Sequence, residues 1–498
     1  MRATRRALSG LLTIALSACT AVGPDYRRPD APVPAAFRHA PAAPSGWKFA
    51  EPAQADAEAA WWRDFQDRSL DALVAAADQA NQDLQGAAAR VARARALLGS
   101  AQSQGGPSVD ASASAARTRI LGGPDGNRFR AGLEAGWEPD LWGLHRRAIE
   151  SGDAELAASE ADLAAARLAI HGQLVRAYIR LRADDALRRL LETTVDAYQQ
   201  SLRVTRNRYE AGVVPRSDVA QAQTLLRSTQ VQLIEVGISR AQTLHAMAVL
   251  LGRAPSALTI AADDRLPSAP AVPVGLPSGL LERRPDIAAA ERRVAAANAR
   301  IGVAQAAWYP TITLGASVAT QGTRIGDLLA LPNRVWSLGP ALVASLIDGG
   351  AREARRAEAI AAYDEAVAGY RMTVLEAFRE VEDALVAMRL LQYQVSVQRR
   401  AEQAAAEALE QVSNQYEAGT ASFLNLLTAQ TALLAASRTL VELRARLADA
   451  GVRLTVAAGG GWRQSAASAP RQGQLDTEQD QRGRTGSRDP DQHRRPGS

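Results

Sequence analysis

The sequence is poor in the residues that usually carry chemistry. Its 498 residues include one cysteine, five histidines and only 5% aromatic residues. It has no Cys/His spacing typical of a metal site, no Gly-rich phosphate loop and no nucleophile motif. Past the first twenty residues, no stretch approaches the ~20 apolar residues that a transmembrane helix needs. We therefore predict that the protein is not an enzyme and needs no cofactor or metal.

The body of the chain also carries no net charge. The net charge is +5, but the excess of arginine lies in residues 1–18 and 463–498. Residues 19–462 carry equal numbers of basic and acidic side chains. A nucleic-acid-binding domain would keep a basic face on its folded body, so we predict no nucleic-acid partner.

The single cysteine lies where its position is informative. Cys19 follows a basic start and an apolar stretch over residues 7–16, which predicts a signal peptide over residues 1–18. The residues LSAC that end at Cys19 resemble a bacterial lipobox, and this implies lipidation of Cys19. An ordinary signal peptide with an incidental cysteine is the alternative. Thr20, where some lipoproteins have Asp, favours the outer membrane by the same resemblance.

The rest of the chain contains a duplication. The segment RYEAG at 208–212 recurs as QYEAG at 415–419, 207 residues later. Other matches extend this pair into two units, residues 61–265 and 266–462. Residues 19–60 are rich in Pro and Ala and are predicted to lie extended over the rest of the protein. Residues 463–498 are polar and are predicted to be disordered.

Each unit combines long helices with a β-hairpin. No proline occurs between residues 141 and 214 or between 341 and 469, and apolar residues seven apart predict coiled-coil packing. Over about 108–140 and 311–348 the apolar period changes to two, which predicts two hairpins with one apolar face each. Strands of this length suit a transmembrane β-barrel. A soluble hairpin that packs on the protein itself is the alternative.

Four strands are too few to close a barrel, since the smallest known barrels have about eight. Open edges in a bilayer would leave backbone groups unpaired, so the edges must pair with other chains. We therefore predict an α+β membrane protein that is an obligate oligomer. Its strands would form one shared barrel, and its helices would continue that wall into the periplasm as a conduit.

Several motifs resemble one family. They are VGPDY at 22–26, WWRDFQDRSLDALV at 61–74, the stretch at 275–314 that contains ERRPDIAAAERRV, and GGGW at 459–462. In this order they resemble the NodT-type lipoproteins of the TolC-like outer-membrane efflux factor family. The resemblance implies a homotrimer with a β-barrel and an α-helical tunnel, lipid-anchored in the outer membrane and reaching into the periplasm. It also implies a periplasmic adaptor and an inner-membrane pump, commonly of the resistance-nodulation-division class.

The expected function is a passive exit duct of an efflux pump. A duct for type I protein secretion is one alternative, and the lipobox counts against it. A structural periplasmic coiled-coil protein or adaptor is another, although adaptors join their hairpins to compact β domains.

The duplicated turn is the candidate functional site. The resemblance implies that Tyr209, Gly212, Tyr416 and Gly419 form the tips where adaptor hairpins dock. A well-made helical hairpin with no further role is the alternative. In each turn the glycine would reverse the chain, and Asp218 or Asn425 would cap the returning helix.

The resemblance also implies a gate at these tips, with Leu424 as its constriction. Thr428 and Thr431 stand where some relatives carry an Asp and an Arg, so closure is expected to depend on Leu424 and on helix packing. The first tip, with Asp218, is charged, whereas the second is not. We therefore expect the second hairpin to move if the mouth opens asymmetrically. Asp140, Asp348 and Asp286 are predicted to cap helices.

Overall fold

The computed structural model describes residues 21–34, 36–39, 60–119, 125–267 and 283–460. The predicted signal peptide, Cys19 and the C-terminal tail lie outside these residues. The helices are α1 (Arg68–Ala80), α2 (Gln82–Gln104), α3 (Leu144–Glu210), α4 (Arg216–Leu250), α5 (Pro285–Ala306), α6 (Ala351–Glu417) and α7 (Phe423–Ala457). The strands are β1 (Ser108–Arg119), β2 (Asp125–Trp137), β3 (Thr311–Gly322) and β4 (Arg334–Val343).

The duplication is visible in the helix lengths. Helices α3 and α6 each contain 67 residues, and α4 and α7 each contain 35. At about 1.5 Å per residue, α3 and α6 are each about 100 Å long. Each is followed by a short turn and a shorter helix that packs back against it. Within the described ranges, no helix is both long and apolar enough to cross a membrane.

The long helices begin where aspartates satisfy their first backbone N–H groups. Asp140 Oδ2 accepts a hydrogen bond from Arg146 N at 2.8 Å, and Asp348 Oδ2 accepts one from Arg352 N at 3.1 Å. The predicted capping role of both aspartates is confirmed. The prediction for Asp286 is wrong, because α5 begins at Pro285 and its N-cap residue is Arg284. Asp286 therefore lies in the first turn, where it pairs with that arginine at 2.6 Å.

The four strands form one antiparallel sheet in the order β1-β2-β3-β4, so β1 and β4 are its edges. Residues directly opposite each other share a face of a sheet. Leu133 lies opposite both Ala111 and Val318, and Val318 lies opposite Trp336. The large apolar residues of β1, β2 and β3 therefore share one face with Trp336, Leu338 and Leu342 of β4, as the period of two predicts, whereas Val335 and Val343 lie on the other face. The second hairpin was predicted to reach residue 348, but its last strand ends at Val343.

The helices pack unequally in the two repeats. Helix α3 contacts α2, α4, α5 and α7, whereas the main helix contacts of α6 are with α5 and α7. Two apolar clusters fill the middle of the molecule. One joins α1 and α3 to the ends of α4 and α7, and the other joins α5, α6 and the end of α7 to the N-terminal segment.

The described part of the N-terminal segment, residues 21–34 and 36–39, lies extended over the helices, and the rest of the predicted segment lies outside the described residues. Val22 N donates to Trp142 O at 3.0 Å near the strands. Further along, the ring of Phe37 contacts that of Phe378, with centroids 6.3 Å apart. Glu382 accepts a hydrogen bond from the backbone N–H of Arg38 at 2.6 Å. The segment thus connects the start of α3 with the middle of α6.

Candidate functional site: the two helical tips

Both turns at the ends of the long helices have the same backbone geometry. Gly212 has φ +75° and Gly419 has φ +78°, in the left-handed region that glycine adopts without strain. In the first turn Gly212 N donates to Tyr209 O, and the next residue donates to Arg208 O. In the second, Gly419 N donates to Tyr416 O in the same way. This is the Schellman arrangement, and it gives both helices an abrupt end.

The returning helices are not capped as the sequence indicated. Helix α4 begins at Arg216 after Pro215, and no side chain caps it. Asp218 lies in the first turn, where its negative charge interacts favourably with the positive end of the helix dipole. In the second tip, Ser422 Oγ accepts a hydrogen bond from Asn425 N at 3.3 Å. The predicted caps Asp218 and Asn425 are therefore wrong, because each lies at the third helical position.

The two tips of one chain share a single apolar core. Its buried residues come from all four helices, namely Val195, Tyr198 and Leu202 of α3, Ala222 and Leu226 of α4, Tyr416 of α6, and Phe423 and Leu426 of α7. Tyr198 also joins the hairpins through its hydroxyl, which donates to Gln430 O at 3.2 Å. Burial raises the pKa of Tyr198 to about 12, so this donor keeps its proton at physiological pH.

Arg208 adds a polar bridge between the tips. Its guanidinium donates to Tyr416 O at 2.9 Å and to Glu417 O at 3.0 Å, and it lies 4.5 Å from the centre of the Tyr416 ring. A positive charge at these last carbonyls of α6 also complements the helix dipole. This role of Arg208 was not predicted from the sequence. The signal was present in the difference between the repeats, since Gln415 occupies the equivalent position in the second tip.

The predicted docking and gate residues have different environments. Tyr416 is 5% exposed and packs edge-on against Phe423, whereas its repeat equivalent Tyr209 is 44% exposed. Leu424 is 60% exposed, and Thr428 lies one turn further along the same exposed face of α7. Asp218 is half-buried on α4.

A groove of about 480 Å³ separates the returning helices of the two tips. It is lined by Ala220, Gln221, Thr224, Leu225 and Ser228 of α4 and by Leu427, Thr428 and Thr431 of α7. Of the predicted gate residues, Thr428 thus lines this groove. Among the residues that the structure describes, no cluster of His, Cys, Asp or Glu could hold a metal ion.

These features define a class of protein. Two long helical hairpins joined to a four-stranded sheet form an architecture that the chain shares with solved outer-membrane channels. A solved structure of the outer-membrane channel OprN covers 89% of this chain, with a TM-score of 0.81 and 32% identity, and all of that chain is matched. The model of the outer membrane efflux protein family matches residues 73–253 and 276–460. The chain belongs to this family.

Two characterised relatives are similar over most of their length. The pyoverdine export outer membrane protein OpmQ of Pseudomonas aeruginosa is 33% identical over 437 residues, covering 84% of this chain and 92% of that protein. Nodulation protein T of Rhizobium leguminosarum bv. viciae is 33% identical over 487 residues, covering 94% and 96%. The two family matches fall on the two repeats, and each ends close to the end of a returning helix.

Proposed function

We propose that this protein is the outer-membrane exit duct of a tripartite efflux pump. Three copies form the conduit, a periplasmic adaptor binds the helical tips, and an inner-membrane pump of the resistance-nodulation-division class supplies the work. The chain itself turns over no substrate. Lipidation of Cys19 anchors each copy in the outer membrane beside the strands.

The observation that carries this proposal is a difference between equivalent helices. Helix α5 lies between α3 and α6, whereas its counterpart α2 packs mainly on α3. Ala295 and Ala299 of α5 are 7% and 0% exposed. The equivalent Ala92 and Ala96 of α2 are exposed, although they too are small residues one turn apart. A neighbouring copy that supplied its own α6 would bury them as α5 is buried.

Helix α6 has the complementary open surface. Helix α3 contacts both helices that precede a β-hairpin, α2 and α5, and both returning helices, α4 and α7. The main contacts of α6 are with one helix of each kind, α5 and α7. Helix α6 leaves Met372, Leu375 and Tyr393 at 57%, 47% and 67% exposed. The sheet likewise has two open edges, at β1 and β4. One repeated contact between copies would cover all of these surfaces and generate a closed ring.

The tips would form the periplasmic mouth of this ring. Tyr209, Gly212, Tyr416 and Gly419 would dock the adaptor. A side chain added at either glycine would meet no atom within 4 Å, so the turns are open to close approach by a partner. Leu424, Thr428 and Asp218 would line the gate, with Leu424 as the apolar constriction. Adaptor binding would bias these tips toward an open arrangement.

The test disrupts the proposed contact and spares the chain's own packing. Ala92→Glu with Ala96→Glu adds two charges to the exposed face of α2. We expect the purified variant to lose the trimer in mild detergent, and cells that depend on it to retain an efflux dye. Leu97→Glu is the matched control. Leu97 is 60% exposed, and its equivalent Arg300 is exposed in α5, which is covered on both sides. A double variant that remains trimeric and active would contradict the proposal.

A further inference from the structure

The arginines of the sheet are concentrated at one end. Arg117 and Arg119 lie near the end of β1, Arg128 and Arg130 near the start of β2, and Arg324 and Arg334 flank the connection between β3 and β4. This is the end remote from the helices. The same end contains two aspartates, Asp125 and Asp327. It is therefore strongly basic, whereas residues 19–462 as a whole are neutral.

The strand register divides these arginines between the two faces. Arg117 lies opposite Asn127, and Arg334 lies opposite Thr320. Alternate residues of a strand point to the same face. Arg117, Arg119 and Arg334 therefore lie on the face that carries Phe129, Val318 and Trp336. Arg128 and Arg130 lie opposite Ala116 and Ser114, on the other face. We call Arg117, Arg119 and Arg334 the collar.

The collar lies at the outer margin of an apolar band. On β2 the band runs from Trp137 to Phe129, about 26 Å along the strand at roughly 3.3 Å per residue. Outward-facing bands of membrane barrels are ~25 Å tall and have aromatic residues at their borders. An arginine just beyond the band has its carbon stem over apolar surface and its guanidinium at the depth of the lipid headgroups.

A short apolar helix lies beside the collar. In the 3₁₀ helix Ile325–Leu329 and the residues after it, Ile325, Leu329 and Leu331 are 70%, 89% and 68% exposed. A Cβ atom on Gly322 would overlap Asp327 Cβ. Gly322 lies opposite Phe129 in the register, so this helix folds over the apolar face. Cationic and apolar groups thus adjoin at one margin of the band.

This combination fits one class of ligand. The outer leaflet of an outer membrane consists of glycolipids whose sugar headgroups carry phosphates. Guanidinium groups bind phosphate oxygens in bidentate geometry, and each such contact is stronger when the site is partly dehydrated. Acyl chains of the same lipid would contact the exposed leucines. The ligand therefore has anionic phosphates and a hydrocarbon part, and it is held against the outside of the barrel.

We propose that the collar, together with Ile325, Leu329 and Leu331, binds the phosphorylated glycolipid of the outer leaflet. The site rests on the proposed function, since it requires the apolar face to be turned toward lipid. Binding would fix the depth of the barrel in the membrane and would seal the outer rim of each copy.

Two variants with equal loss of charge test the collar. Arg117→Gln with Arg119→Gln removes two arginines from the apolar face, and Arg128→Gln with Arg130→Gln removes two from the opposite face of the same hairpin. The purified trimers would be titrated with bisphosphorylated lipid A, with the bound lipid counted by native mass spectrometry. We expect the collar variant to bind about tenfold more weakly, a difference of about 1.4 kcal/mol, and the opposite-face variant to bind like the wild type.

Further arms separate the possible outcomes. Lipid A without its phosphates should bind the wild type as weakly as the intact lipid binds the collar variant. Arg334→Gln tests the same site from another strand if the first variant folds poorly. Equal lipid binding by both double variants, or equal binding of lipid A with and without its phosphates, would contradict a lipid site at the collar. A wild-type protein that forms no trimer would instead overturn the proposed function, so the two failures are distinguishable.

Discussion

Replacing Arg208 by glutamine tests whether the two helical tips of one chain move together. Glutamine is the residue at the equivalent position 415, so the variant makes the first tip resemble the second. In the wild type the Arg208 guanidinium donates to two carbonyls at the end of α6, at 2.9 and 3.0 Å. A shorter neutral side chain cannot maintain both hydrogen bonds or the contact with the Tyr416 ring.

The size of the effect follows from these contacts. Hydrogen bonds with one charged partner contribute about 1.5–3 kcal/mol. A cation over an aromatic ring contributes about 0.5–1 kcal/mol at an exposed site. Because Arg208 is only half-buried, we expect a total loss of about 2 kcal/mol, which is roughly a 30-fold change in an equilibrium. The shared apolar core remains, so the tips should separate more often without unfolding.

Single-channel recordings in planar bilayers would measure this change. We expect Arg208→Gln to spend more time in conducting states than the wild type, and Arg208→Lys to be intermediate. Arg203→Gln is the control, since that arginine bonds to Gln200 on its own helix. Equal time in conducting states for Arg208→Gln and this control would contradict a role of the bridge in closure. The second hairpin would then move independently of the bridge.

Two further predictions concern buried groups. Tyr416 Oη is buried with no hydrogen-bond partner, so Tyr416→Phe should leave thermal stability unchanged or raise it, by up to about 1 kcal/mol; a clear loss in a denaturant titration would mean that the hydroxyl has a partner. Burial lowers the pKa of His171, against the opposing effect of Asp78. The unfolded chain then binds the proton more readily, so stability should fall as the pH drops below about 6.5. In His171→Gln, which keeps a donor to Asp78, melting temperatures should fall less between pH 7.5 and 5.5; equal falls would contradict this.

Much of the fold could be predicted from the sequence because its signals are local. The period of two in the strands and the proline-free heptads of α3 and α6 each follow from neighbouring residues. Gly212 and Gly419 mark the ends of the long helices for the same reason. The helix caps were predicted less well. Pro215 and Ser422 occupy the N-cap positions, so Asp218 and Asn425 lie inside their helices.

The site was harder to predict because its decisive contacts are distant in sequence. Arg208 and Tyr416 are 208 residues apart, and the packing of four helices around a shared core brings the two tips together. The sequence predicted that the second hairpin moves if the mouth opens asymmetrically, because Phe423 and Leu424 make its tip apolar. In the structure Phe423 is buried in the core that both hairpins share, and Leu424 alone of the two is exposed.

The shared core has a consequence for gating in the proposed trimer. Within one chain the tips are joined by Arg208 and by buried residues of four helices. Between copies, repeat symmetry would instead bring Gln415 near Tyr209 of the neighbouring copy, without a guanidinium. The contact between copies is then the weaker one. We therefore expect the mouth to open at the seams between subunits, with each pair of hairpins moving as a unit.

The most direct test of the account is whether the exposed face of α7 lines the conduit. The only native cysteine is Cys19, which is lipidated in the proposed mature protein, so Leu424→Cys would introduce the sole free thiol. Single-channel conductance would be recorded before and after a bulky thiol reagent is added, with Arg203→Cys as the control. We expect a large fall in conductance for Leu424→Cys and none for the control. Unchanged conductance of modified Leu424→Cys would contradict a gate at these tips.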